Sequence, residues 1–183
     1  MWLTPADFCI RRAIIPAATN SMRIAITTDH AGFEALQLLD AFLISLGHQT
    51  VNFGPKTLDV DDDYPDYMFP AAKAVAAGDC ERGIILGGTG NGEAMAANRI
   101  KGVRAAVFYG PIVAKTAIDA EGKLSTDPYE IVKLSRDHNN SNILSLSGRF
   151  LSQEEMKTAI KIWLETPFSG VERHARRINK LDK

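Results

Sequence analysis

Gly83-Ile84-Ile85-Leu86-Gly87-Gly88-Thr89-Gly90-Asn91-Gly92-Glu93-Ala94-Met95-Ala96-Ala97-Asn98 is the stretch whose reading decides the fold. An apolar run, a glycine loop and a good helix former follow one another, which reads as strand, loop and helix N-terminus. In that order several backbone N–H groups point outward without partners in the chain. Such a nest accepts an anion, either a phosphate or an oxyanion that forms during a reaction. Glu93 separates this loop from an ordinary phosphate cradle, because a carboxylate at the mouth of a nest repels a bound phosphate. A base beside a developing oxyanion is instead what proton abstraction next to a carbonyl requires. The loop lacks the lysine of a P-loop. Its Gly-x-Gly-x-Gly spacing falls at the third strand, without the acidic ribose partner of a dinucleotide fingerprint. Spacing alone leaves two plainer readings open: a tight turn with no ligand, and an acidic side chain that serves the helix dipole.

Outward from this loop, strands and helices alternate. Arg23 to Thr28 is a β-rich run ending at Asp29-His30-Ala31-Gly32. Phe33, Leu36, Leu39, Leu43 and Leu46 fall at helical spacing, with Gly47 as a C-terminal cap. Gln49 to Phe53 reads as the second strand, followed by an acidic loop, Asp59 to Asp63, and a helix through Ala71–Ala77 capped by Gly78. Further strands are expected at Val103–Phe108 and Asn142–Leu146, with helices at Gln153–Glu165 and from about Val171. This order implies βαβ units: a three-layer α/β/α sandwich around a five-stranded parallel, Rossmann-like sheet. Ligands of such sheets bind outside the carboxyl ends of the strands. Asp29-His30, the glycine loop and Tyr109 are all expected there.

The bulk numbers narrow the function. With 183 residues and 45% hydrophobic content, one domain with a substantial core fits residues 22–183. The 21 Lys+Arg and 22 Asp+Glu give a net charge of −1, so no overall field attracts nucleic acid. Two cysteines, Cys9 and Cys80, make neither a disulfide framework nor a metal-ligand pattern, and a reducing, cytoplasmic compartment is expected. No apolar run is long enough to span a bilayer. Residues 1–21 read as an N-terminal extension: Arg11-Arg12 and Ala13–Ala18 resemble an export signal, but the apolar segment is short and Pro16 breaks it.

Other polar groups attract attention. Asp29 either caps the following helix or works beside His30. His138, in Ser135-Arg136-Asp137-His138-Asn139, is flanked by polar residues. In Glu172-Arg173-His174-Ala175-Arg176-Arg177, Arg173 and Arg177 stand four apart on one helix face. Two guanidiniums so placed suit a dianionic phosphate ester, as does Arg149 after Ser147-Gly148.

Asp29-His30-Ala31-Gly32, Tyr64-Pro65, the glycine loop, Gly102-Val103-Arg104-Ala105-Ala106, Ser135–Asn139, Gly148-Arg149 and Arg173-His174-x-x-Arg177 occur in one order. Together they resemble the type B ribose-5-phosphate isomerase and galactose-6-phosphate isomerase family. The resemblance runs from Met22 to about Lys180. It implies an aldose–ketose isomerase that works through a cis-enediol, without metal or cofactor, as a homodimer with shared active sites or as a tetramer. Many members carry a cysteine base where this chain has Gly87, so the chain resembles the subgroup in which the glutamate, here Glu93, moves the proton. By the same resemblance Asp29 and His138 assist ring opening, with Thr89 nearby. Gly88, Gly90, Asn91 and Gly92 hold the enediolate oxygen. His30, Arg149, Arg173 and Arg177 grip the phosphate, and Tyr64 and Asn139 line the sugar site.

One segment departs from the family pattern. Residues 110–134 form a longer connection than a single helix, with Gly122 and Asp127-Pro128 reading as breaks between helical pieces. It leads from a strand's carboxyl end to His138 and so is expected near the pocket, as a lid or binding loop. A contact between subunits is the other reading. Ribose 5-phosphate is the expected substrate, with galactose 6-phosphate or a tetrose phosphate as alternatives and a non-catalytic sugar-phosphate sensor as a further one.

Overall fold

The computed structural model describes residues 21–183, so the expected N-terminal extension lies almost wholly outside the described residues. The elements are β1 (Arg23–Thr27), α1 (Phe33–Ser45), β2 (Gln49–Asn52), α2 (Tyr64–Ala77), β3 (Arg82–Gly87), α3 (Asn91–Ala97), β4 (Ala105–Phe108), α4 (Glu130–Asp137), β5 (Ile143–Ser147), α5 (Gln153–Glu165) and α6 (Glu172–Ile178). A 3-10 turn, His30–Gly32, joins β1 to α1. The strands form one five-stranded sheet in the order β2-β1-β3-β5-β4, and every adjacent pair is parallel.

Side-chain alternation along the strands builds two cores. Ile24, Ile26, Ile84, Leu86, Leu144 and Leu146 pack with Leu36, Leu39 and Leu43 of α1, Val132 of α4 and Trp163 of α5. Ala25, Ile85 and Ile143 point the other way, onto Met68, Ala71, Ala72 and Val75 of α2 and Ala96 and Ala97 of α3. Both faces of the sheet are thus covered, which a parallel sheet requires. The chain moves outward from β1 to β2 and then, through β3, to the other side. The gap between β1 and β3 is therefore the switch point where a doubly wound sheet opens a crevice.

The helix cap expected at Gly78 is present, in the left-handed region at φ 83°. Residues 110–129 differ from expectation. They hold turns and irregular chain, and a helix begins only at Glu130. Gly110 at φ 131° and Gly122 at φ 86° leave the helical region, and Pro111 and Pro128 lack the N–H a helix needs, so the segment is broken at both ends and within. The segment is closed by backbone hydrogen bonds instead, Ile112 N–H to the Pro128 carbonyl and Ile118 N–H to that of Lys123, both 2.8 Å.

A second difference concerns direction. A helix that returns between parallel strands ends at the amino end of the sheet. His138 follows α4 and precedes β5, so it stands at the amino end of β5 and not beside the glycine loop. Tyr109 does leave the carboxyl end of β4, but β4 is the far edge strand from β1 and β2. Tyr109 lines a groove of about 490 Å3 with Asn91, Met95 and Asn98, away from Asp29 and His30.

Candidate active site

Two clusters carry the chemistry, one at each end of the sheet. At the carboxyl end, β5 pins the glycine loop by its carbonyls. Ser145 Oγ donates to Gly90 O at 2.6 Å, Ser147 Oγ to Gly88 O at 2.8 Å and Gly148 N–H to Gly87 O at 2.8 Å. Gly90 turns the chain at φ 79°, a conformation that favours glycine. With the carbonyls tied, the N–H groups of Gly88, Thr89 and Gly92 make no hydrogen bond among the described residues. Asn91 N–H is engaged, although loosely, by Thr89 Oγ1 at 3.3 Å.

Glu93, in the first turn of α3, is only 4% exposed, and its Oε2 has no hydrogen-bond partner. Burial raises its carboxyl above the ordinary carboxylate value and the charge of Asp29 adds to this, against the pull of the Glu93 and Gly90 backbone N–H groups. A carboxylate held out of water with one oxygen unused is costly to stability, and such tuning is what a general base needs. Gly87 makes room for it. A Cβ at that position would stand 1.7 Å from Glu93 Oε1. The glutamate therefore fills the space that a residue 87 side chain would need, and the two are mutually exclusive in this geometry.

The remaining predicted residues of this end converge on the loop. Asp29 is buried and caps the 3-10 turn, its Oδ1 accepting from Ala31 N–H at 2.9 Å. The Tyr64 ring lies against Gly92, where an added Cβ would meet Cζ at 3.1 Å. The Arg149 guanidinium covers Gly88, with Cζ 3.4 Å from an added Cβ. His30 pairs through Nδ1 with Asp62 Oδ1 at 2.7 Å. Asp29, His30 and Asp62 bring ligand-capable atoms within 4.8 Å of one another, although one nitrogen and one oxygen of the set are already spent on each other.

The second cluster lies at the amino end. His138, Asn139, His174 and Arg177 line a cavity of about 200 Å3 with Ile178 and Leu181. The His138 and His174 rings lie 4.2 Å apart between centroids. Burial lowers the His174 pKa, and His138, Arg173 and Arg177 lower it further. Arg173 is already paired: Nη1 and Nη2 reach the Glu121 carboxylate of the long connection at 2.8 and 3.2 Å. Arg136 underpins the cluster as a structural anchor. It is buried over the Trp163 ring and donates to Ser141 O, Asn140 Oδ1 and Thr166 O, and burial pulls its pKa down to about 10. Among the described residues, no hydrogen bond or ion pair joins the two clusters.

Glu93, Thr89 and Asp29 therefore come together in one chain, with His30, Tyr64 and Arg149. His138, Asn139, Arg173 and Arg177 gather separately. Asp62, Glu121 and His174 had no role in the sequence reading. The position of Asp62 in an acidic loop beside Tyr64-Pro65 was the available signal, and the pairing of β2 with β1 turns it into a contact.

A sequence model of the ribose/galactose isomerase family matches residues 24–122 and 124–181. The chain belongs to this family. It is 36% identical over 160 residues to ribose-5-phosphate isomerase B of Mycolicibacterium paratuberculosis, covering 87% of this chain and 89% of that protein. Among solved structures, type B ribose 5-phosphate isomerase of Trypanosoma cruzi superposes with a TM-score of 0.75 at 34% identity, over 89% of this chain and 95% of that one. The Mycoplasma genitalium enzyme with bound ribulose 5-phosphate gives 0.73 at 34% identity, over 87% and 93%. Among the described residues, no helix is long and apolar enough to cross a membrane.

Proposed function

We propose that the chain is an aldose–ketose isomerase that interconverts ribose 5-phosphate and ribulose 5-phosphate through a cis-enediolate. The observation that carries this reading is the buried Glu93 carboxylate beside the free N–H groups of the glycine loop. Glu93 takes the proton from C2 of the aldose and returns it to C1, while Gly88, Thr89 and Gly92 N–H stabilise the oxyanion between those steps; of the other expected donors, Gly90 N–H serves the Glu93 carboxylate and Asn91 N–H serves Thr89 Oγ1. The loss of one such donor typically costs about 3 kcal/mol of barrier. Asp29, with Thr89 near, and His138 open the furanose ring. His30, Arg149, Arg173 and Arg177 hold the phosphate, and Tyr64 and Asn139 border the sugar.

These roles need both ends of the sheet at one substrate. Five residues of β5 separate them by about 15 Å, more than a pentose phosphate spans. A homodimer in which the amino-end cluster of one copy faces the glycine loop of the other supplies both. Its interface is best sought at the groove beside α3, where Met95 is 67% and Tyr109 68% exposed. The buried free thiol of Cys80 accords with a reducing, cytoplasmic setting.

The test is kcat/KM over a panel of four-, five- and six-carbon aldose phosphates in heavy water. Highest turnover on ribose 5-phosphate, with deuterium entering at the transferred position, is expected. Binding without exchange on every sugar would contradict an isomerase and leave a sensor.

A further inference from the structure

The acidic loop after β2 supplies a residue that neither cluster has yet explained. Because β2 lies beside β1, the chain leaving its carboxyl end passes over the start of the 3-10 turn. Asp62 reaches back from it. Its Oδ1 meets His30 Nδ1 at 2.7 Å and accepts from the His30 backbone N–H at 3.2 Å. The Asp62 side chain is 4% exposed and Oδ2 makes no well-formed hydrogen bond, although the Tyr67 phenol, whose pKa burial and then the Asp62 charge raise, faces the same carboxylate. A buried carboxylate left half-satisfied is expensive, so packing alone is a poor account of it. An ionised carboxylate only accepts, which makes Nδ1 the donor and leaves Nε2 as the nitrogen of the ring without a hydrogen bond among the described residues.

We propose that Asp62 is a positioning residue: by accepting from Nδ1–H and balancing the charge of the imidazolium, it aims Nε2–H of His30, together with Arg149, at an anionic oxygen of the substrate. This rests on the sugar-phosphate reading above and deepens it. The charged groups facing His30 come from three elements: Asp62 in the loop after β2, Asp29 at the end of β1 and Arg149 after β5. The hydrogen bond from Asp62 raises the His30 pKa most, Asp29 adds to it, and burial and Arg149 oppose. Raised, the ring keeps its Nε2–H donor as pH climbs past the ordinary histidine value of 6.5, and loses it only above. In Asp62→Asn the amide oxygen can still accept from Nδ1, but the charge is gone, so the donor is lost at lower pH.

Two measurements test this, and only one needs turnover. Histidine-selective NMR on the full chain reads the His30 titration in the wild type and in Asp62→Asn, with thermal unfolding as a check on the fold. Steady-state kinetics with ribose 5-phosphate reads KM and kcat against pH. We expect His30 to titrate above 6.5 in the wild type and lower in the variant. KM of the variant should exceed that of the wild type roughly tenfold between the two titrations, with kcat within about twofold and the two proteins converging both in acid and above the wild-type titration. Superimposable titrations, or a fall in kcat at unchanged KM, would overturn the proposal. So would a wild-type His30 that titrates at or below the ordinary value, which needs no variant. If ribose 5-phosphate is not turned over, the function reading fails, while the NMR titration still decides the Asp62–His30 pair.

Discussion

The carboxyl end of the sheet buries its carboxylates, whereas the amino end gathers its histidines and an arginine around a cavity. Around the glycine loop, Glu93 and Asp29 are almost without solvent, their neighbours are fixed by hydrogen bonds from β5, and Gly87 leaves no spare volume. Around His138 and Arg177 there is a cavity of about 200 Å3, and Arg173 is engaged by an exposed carboxylate, Glu121. The first region has the fixed geometry that the proposed proton transfer, which tolerates little displacement, calls for. The second holds cations and imidazoles suited to a mobile, charged end of a substrate. On the proposed reading neither alone completes a site for a sugar phosphate, and the sheet keeps them apart within one chain.

Removing the base should have the largest effect. Glu93→Gln, which is isosteric, should lower kcat for ribose 5-phosphate roughly a thousandfold or more while leaving KM near normal. Residual activity within about tenfold of the wild type would remove Glu93 from its role. Next in size, Gly87→Ala places a Cβ where Glu93 Oε1 now lies, 1.7 Å away, and must push the carboxylate out of position. Stopped assays should show about a hundredfold loss in kcat with a smaller change in KM, because the added Cβ meets the Glu93 side chain and not that of Arg149. An unimpaired Gly87→Ala would mean that Glu93 has another working position.

The smallest effect is on stability, and its sign is opposite to that on activity. The Glu93 carboxyl is raised in the folded protein, so the native state binds its proton more readily than the unfolded chain does. Ionised Glu93 therefore destabilises the fold at neutral pH, and the penalty disappears as pH falls through its folded pKa toward 4.5. Glu93→Gln should unfold at a higher temperature than the wild type near neutral pH, with the gain vanishing in acid. Calorimetry that shows an equal or lower Tm at neutral pH would contradict the burial argument.

Much of this was legible in the residues. The run Gly83–Leu86 before the glycines, and the helical spacing of Phe33 to Leu46, place β3 and α1 because each satisfies one periodicity over enough residues. Glu93 stood out because a carboxylate is misplaced in a phosphate nest. What could not be read was relative position. Arg136 and His138 are two residues apart, yet one is a buried anchor over the Trp163 ring and the other lines a cavity. His138 was expected beside the pocket because the chain leads to it from β4, but the return helix carries it to the opposite end of the sheet. Asp62 needed the pairing of β2 with β1. Residues 110–129 read as helical pieces between breaks, but the chain there forms turns and irregular structure that residue types alone do not specify.

The central claim is that the two ends meet at one substrate only when two copies of the chain come together. Co-expression of Glu93→Gln with His138→Ala tests it directly, since each variant alone should be nearly inactive. Random pairing leaves one intact site in each mixed dimer, so about a quarter of wild-type activity should return. Mixed dimers that form and yet recover no activity would contradict the account.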